Sequence, residues 1–228
     1  MKKALALFFF AAMVISGHGQ ERSGFIGIQA GPSIPVGSYN AVELPDGGFA
    51  SVGFSSSIEG AWYFLPWLGV GGQLGVHVQT VNAAALETAK EQSDPFIIEA
   101  YITSDPYRNY TLYAGAYFQV PIMQRLSFTA KMLGGAMYSQ SPYQYYTIDY
   151  FMIGLKTFEV TSSGDYEWSF LSGAGLTYQL NNRLGFTLNG EFTYNQDEFD
   201  FKLPDGSTRT DDRVISFVNV LAGVYWKL

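Results

Sequence analysis

The 228-residue chain contains no cysteine. An exported form of it therefore has no disulfide framework and must draw its stability from a sheet or a core. It has no basic surplus: 13 Lys and Arg stand against 20 Asp and Glu, a formal charge of -7. That excludes the basic face that nucleic acid requires. Only 2 histidines occur, His18 and His77, and no carboxylate loop of the calcium-binding type replaces them. Neither a metal set nor a cofactor is expected from such a supply of ligands. Beyond the first residues, no run reaches the ~18 consecutive apolar residues of a membrane-crossing helix.

Glycine (25 residues) and aromatic side chains (17%) are abundant instead. The chain opens with Lys2 and Lys3, continues with an apolar run from Ala4 to Ile15, and leaves it through Ser16, Gly17, His18 and Gly19. This is the pattern of a secretory signal peptide over residues 1–19, with cleavage expected near Gly19 and Gln20. No cysteine follows it to carry a lipid anchor. Residues 20–228 are then one domain, with a mature charge of about -9 once Lys2 and Lys3 are gone.

The organising stretch is Leu184 to Asn195. Leu184, Phe186, Leu188, Phe192 and Tyr194 share one face of an extended strand, and Gly185, Thr187, Asn189, Glu191, Thr193 and Asn195 share the other. The wet residues are mostly small and the greasy ones bulky. That suits an apolar face turned to lipid and a polar face lining an interior. Seven further segments read the same way: Phe25–Gly31, Ala50–Phe64, Leu68–Gln79, Asn109–Val120, Leu126–Ser139, Tyr166–Leu180 and Arg213–Leu228. In most of them the apolar face falls on even-numbered residues.

Pro32, Pro35 and Gly37 are expected to end the first strand and open a loop to about Gly48. A polar stretch to Pro106 carries a short helix over Ala83–Gln92. An aromatic loop runs from Gln140 to Asp165, parts of which extend the flanking strands into a hairpin. A polar loop runs from Gln196 to Asp212 around a Pro204-Asp205-Gly206 turn. Long connections thus follow the odd-numbered strands and tight turns the even-numbered ones, the asymmetry of outer-membrane barrels. Large aromatics gather in two bands. Trp62, Phe64, Phe118, Phe128, Tyr178, Phe186 and Trp226 lie near the short turns or the C-terminus, and Tyr110, Tyr138, Trp168 and Tyr194 near the long loops.

The expected fold is an all-β, eight-stranded, antiparallel up-and-down transmembrane β-barrel in the outer membrane of a Gram-negative cell, porin-like, with periplasmic termini. The alternative is a soluble lipocalin-like barrel, whose interior would be the even-numbered face. The chain resembles the small outer-membrane β-barrel proteins common in Bacteroidetes-type bacteria. The resemblance rests on the FIGIQAGPSIPVG stretch, the glycine-rich amphipathic strands and the ending Gly223-Val224-Tyr225-Trp226-Lys227-Leu228. That ending is similar to the terminal barrel-assembly signal, with Leu228 in place of the more usual Phe. It implies contact with outer-membrane lipid and with the barrel-assembly machinery through the last strand; it carries no activity or catalytic set.

Five charged residues fall on the interior face: Glu59, Lys131, Glu167, Glu191 and Lys227. Counted from the short turns, Glu59, Lys131 and Glu191 share a middle depth, so a Glu–Lys–Glu network across a narrow lumen is expected as a structural filling. A conducting or proton-relay role is the alternative. His77 is the one mature histidine, and a hydrogen bond at the rim is expected of it. Catalysis by a membrane-embedded acyltransferase or protease is the alternative. The loop bearing Tyr143, Tyr145, Tyr146, Tyr150 and Phe151 is the candidate contact for a protein or glycan outside, against a loop that packs on itself over the mouth. Asp211 and Asp212 read as a solvated loop end, and Asn109-Tyr110-Thr111 as a sequon lost inside a strand. The expected role is structural, binding or assembly through external loops, without catalysis. A membrane-embedded enzyme using His77, or a small pore, is the alternative.

Overall fold

A computed structural model describes residues 23–202 and 208–228. The signal segment and the Pro204-Asp205-Gly206 turn lie outside the described residues. Eight strands alternate as the sequence requires and close into an antiparallel barrel. They are β1 (Ser23–Pro35), β2 (Gly53–Tyr63), β3 (Leu68–Gln79), β5 (Tyr107–Pro121), β6 (Leu126–Gln140), β9 (Gly164–Gln179), β10 (Leu184–Lys202) and β11 (Thr208–Lys227). Neighbours in sequence are neighbours in space, and β11 pairs with β1 to close the wall. Pairing followed from Gly27 through Glu59, Gln73, Tyr113, Gly135, Ser169, Asn195 and Ile215 comes back beyond Pro35, about ten residues further along β1. That stagger belongs to strongly tilted strands and a narrow barrel.

The even-numbered face is outside. Ile28, Ile58, Leu74, Leu112, Met132, Leu176, Leu188 and Val220 are all exposed on the barrel wall. A continuous apolar belt of this kind is stable against hydrocarbon, not water. Trp62, Trp67, Phe128, Tyr178 and Trp226 ring its short-turn margin, and Tyr110, Trp168 and Tyr194 its opposite margin. The odd-numbered face is inside and buried, which removes the lipocalin-like arrangement.

Three features differ from the sequence reading. β1 does not stop at Pro32. Gly31 and Pro32 lose their pairing to β11 yet keep it to β2, so the missing proline donor costs the ladder on one side only. The stretch to Pro106 holds the expected helix, α1 (Ala83–Ser93), and beyond it an unexpected strand, β4 (Ile97–Ser104). The aromatic loop is likewise β7 (Gln144–Tyr150) and β8 (Gly154–Val160), which join β4 in a three-stranded sheet outside the barrel. Finally, the expected polar loop at 196–212 is mostly strand, because β10 and β11 stay paired as far as Lys202 and Thr208.

The external sheet and α1 form a small core of their own from Leu86, Ala100, Ile102, Tyr146 and Ile148, with Phe49 of the β1–β2 connection. Asn82 caps α1 by accepting from the Ala85 amide at 3.1 Å. Glu87 and Glu91, one helical turn apart, accept the amides of Ile102 and Ala100 at 2.7 and 3.0 Å. The free edge of β4 is thereby closed by side chains, as exposed edges require. The edge of β8 is open.

Candidate functional site

Three layers fill the lumen. At the short-turn end lies a cavity of about 200 Å³, bounded by Phe25, Tyr63, Tyr117, Tyr225, Gln179 and Lys227. Its inner end is the charged layer. Lys131 on β6 reaches Glu59 on β2 at 2.5 Å and Glu191 on β10 at 2.7 Å, and donates its third proton to Gln73 at 3.0 Å. Glu191 also accepts from Gln29 at 2.7 Å and from Gln73 at 3.1 Å. Asn189 in turn donates to Gln29 at 2.7 Å. With Ser57 and Tyr117, six of the eight strands contribute to one connected network. An ammonium with three acceptors and a carboxylate with three donors is the arrangement that lets charge lie in a dry interior.

Space for it comes from β9, which presents glycine here. A Cβ at Gly173 would sit 3.1 Å from Lys131 Cε and 3.2 Å from Glu191 Cγ. The other two charged residues stand apart. Glu167 is half-buried towards the far rim, accepting from the Trp168 amide at 3.4 Å, and Lys227 is exposed at the cavity mouth.

Beyond the charged layer, large apolar side chains enter the lumen among the polar ones, which the alternating pattern did not announce. Tyr113, Leu133, Met137, Leu171, Phe217 and Leu221 point inward and are almost wholly buried. Tyr39, on the 3-10 turn Gly37–Tyr39, drops into the mouth against Tyr107 with ring centroids 5.1 Å apart. Its hydroxyl donates to Gln79 at 3.3 Å. The barrel is therefore open at the short-turn end and stopped at the other.

His77 lies within this stopper rather than at an accessible rim. Ser55 Oγ is 2.7 Å from its Nδ1, Thr111 Oγ1 3.2 Å from its Nε2, and the Phe217 ring 4.8 Å from its ring. A serine against an imidazole is the contact of a nucleophile and its base. Here His77 and Ser55 have no accessible surface, and the third partner is a hydroxyl, not a carboxylate, so the cluster serves packing. Among the described residues no three His, Cys, Asp or Glu side chains converge as metal ligands.

The external candidate residues separate by strand parity. Tyr146 is buried in the core of the external sheet, stacked on Phe158 at 4.6 Å, and donates to Gln144 at 2.7 Å. Burial pushes its phenol up to about 12. It is no contact residue, a correction that follows from its even position on the sheet face that meets α1. Tyr143 and Tyr150 are half-buried, and Tyr145 is exposed. The Tyr143 hydroxyl donates to Glu159, which holds it above the ordinary phenol value. Phe151 is fully displayed. With it stand residues that alternation had not singled out: Phe96, Ile98, Met152, Ile153 and Leu155, each between 59% and 82% exposed. The Phe151 amide donates to the Phe96 carbonyl at 2.9 Å, which ties the β7–β8 turn to the start of β4 and gathers these side chains into one apolar tip.

No family model matches this chain, and no curated protein matches it. Solved structures do. Ail, the attachment invasion locus protein of Yersinia pestis, is 15% identical over 92% of this chain and 100% of its own, with a TM-score of 0.47. Neisserial surface protein A is 13% identical over 91% and 100%, with a TM-score of 0.47. A major outer membrane protein from Thermus thermophilus is 12% identical over 90% and 99%, with a TM-score of 0.49. Likeness at this level says nothing of what the chain binds.

Proposed function

We propose that the chain is an outer-membrane protein whose stopped barrel anchors a protein-binding surface outside the cell, with the short turns and both termini in the periplasm. The asymmetry of the connections supports that orientation. The FIGIQAGPSIPVG stretch and the Gly223–Leu228 ending support an origin in Bacteroidetes-type bacteria and delivery by the barrel-assembly machinery. The observation that carries the reading is the apolar tip of Phe96, Ile98, Phe151, Met152, Ile153 and Leu155, carried by a sheet separate from the barrel wall and with its own core. Aliphatic and aromatic side chains gathered at this density suit the desolvated centre of a protein contact. A glycan would ask for more polar groups among them. The stopped lumen and the enclosed His77 give transport and catalysis no comparable support.

A cysteine placed at Met152 should react with a membrane-impermeant maleimide on intact cells. A photo-cross-linking residue at the same position should yield a discrete protein adduct that Phe151→Asp abolishes. Failure to label intact cells would refute the orientation, and adducts indifferent to Phe151→Asp would refute the tip as the contact.

A further inference from the structure

The cavity at the short-turn end has a composition that the wall does not require. Its inner surface holds Glu59 and Lys131, each nearly buried, and its sides are aromatic. Phe25 stacks on Tyr63 at 6.3 Å and meets Tyr117 and Tyr225 edge-on at 6.0 and 6.1 Å, so four rings in contact through Phe25 form one aromatic wall of the cavity. Charge in the adjoining layer does not balance. Two carboxylates face one ammonium, and Lys131 divides itself between them. Glu191 is fully occupied by Lys131, Gln29 and Gln73. Glu59 is not, since Lys131 and the Tyr117 hydroxyl both meet its Oε2. Among the described residues its Oε1 has no protein donor, and the residue borders the cavity.

We infer that this cavity is a binding site for a small organic cation, an alkylated ammonium, seated against the wall formed by the Phe25, Tyr63 and Tyr117 rings with its charge facing Glu59. Aromatic faces attract such cations through their quadrupole, most strongly when water is excluded. Lys131 already shows the chemistry in place, with its Nζ 5.8 Å from the centre of the Tyr117 ring. Glu59 at the closed end draws a monocation, while Lys227 at the mouth is exposed and screened by water, so it opposes that attraction only weakly. The space, about 200 Å³, is far above the ~15 Å³ that admits a single water. The site is separate from the external tip and stands or falls without it.

The test uses the refolded full-length barrel in detergent, with choline as the probe and 3,3-dimethyl-1-butanol as its uncharged counterpart. Choline should bind by calorimetry and shift the ring resonances of Phe25 and Tyr63. The alcohol should bind about tenfold more weakly or not at all, and acetate not at all. Glu59→Gln leaves Lys131 paired with Glu191 and should weaken choline about tenfold. Tyr63→Leu, with the charge intact, should also weaken it. Folding of both variants is checked by heat-modifiable migration on gels, and Gln119→Ala serves as a folded variant of the cavity wall with affinity retained. Equal binding of choline and the alcohol, choline affinity unchanged in Glu59→Gln, or no binding at all would overturn the assignment.

Discussion

Lys131 is satisfied by three acceptors from three strands, and each acceptor is held in turn by a neighbour. Removing one carboxylate disturbs more than one contact. Glu191→Ala takes an acceptor from both the Gln29 and Gln73 amides and removes one of the two counter-charges of a buried ammonium. It should lower stability by about 3–5 kcal/mol, measured by urea unfolding from lipid vesicles. A loss under 1 kcal/mol would mean that the layer is hydrated and loosely held. The three charged members were legible in the sequence, because strand rise is constant and depth can be counted from the turns. Gln29, Gln73 and Asn189 were not, since a polar residue on the wet face of a strand is ordinary until its neighbours across the lumen are known. Ser55 was missed for the same reason: no spacing along the chain relates it to His77.

At the scale of elements, alternation identified the faces of all eight barrel strands, and the lipid face supplies a direct check. Leu188 lies on the exterior of β10, paired between Leu176 and Ala222. Leu188→Arg should cost about 2–4 kcal/mol near the midplane of the bilayer, and Leu188→Phe little, by the same unfolding measurement. Parity Arg and Phe effects would indicate that this face does not meet hydrocarbon. Alternation was less informative outside the belt. β4, β7 and β8 carry apolar residues on both sides, because one face packs on α1 while the turn and edge display Ile98, Phe151 and Leu155. A strand that is apolar on both faces loses its period and reads as an aromatic loop. β10 and β11 failed in the opposite sense. Their outer halves are too polar to suggest burial, yet backbone pairing carries them on.

For the whole molecule, the interior decides what passes. Charged residues on the wet face led to an expectation of a salt-bridged filling, which the lumen contains, and Leu133, Met137, Leu171, Phe217 and Leu221 share that face with it. Inward apolar residues are hard to detect in a strand already apolar on its other side, where they only blur the alternation. The stopper is part of the wall itself. Excising the external sheet should therefore leave the barrel closed, and planar-bilayer recordings should show no stable conductance steps before or after the excision. Steps appearing on excision would place the seal in the external sheet instead.

β10 is 19 residues long and β11 20, whereas β9 gives up its pairing with β10 at Asn195. Seven more residues of β10 carry a two-stranded ribbon about 23 Å past that point. On the long-connection side, the ribbon rises from the same two strands that hold Glu191 and Phe217 deep inside. Whatever approaches that side meets a narrow blade whose roots are the charged layer and the stopper. A pull on its tip is a load along strands anchored at the centre of the barrel, not on a detachable loop.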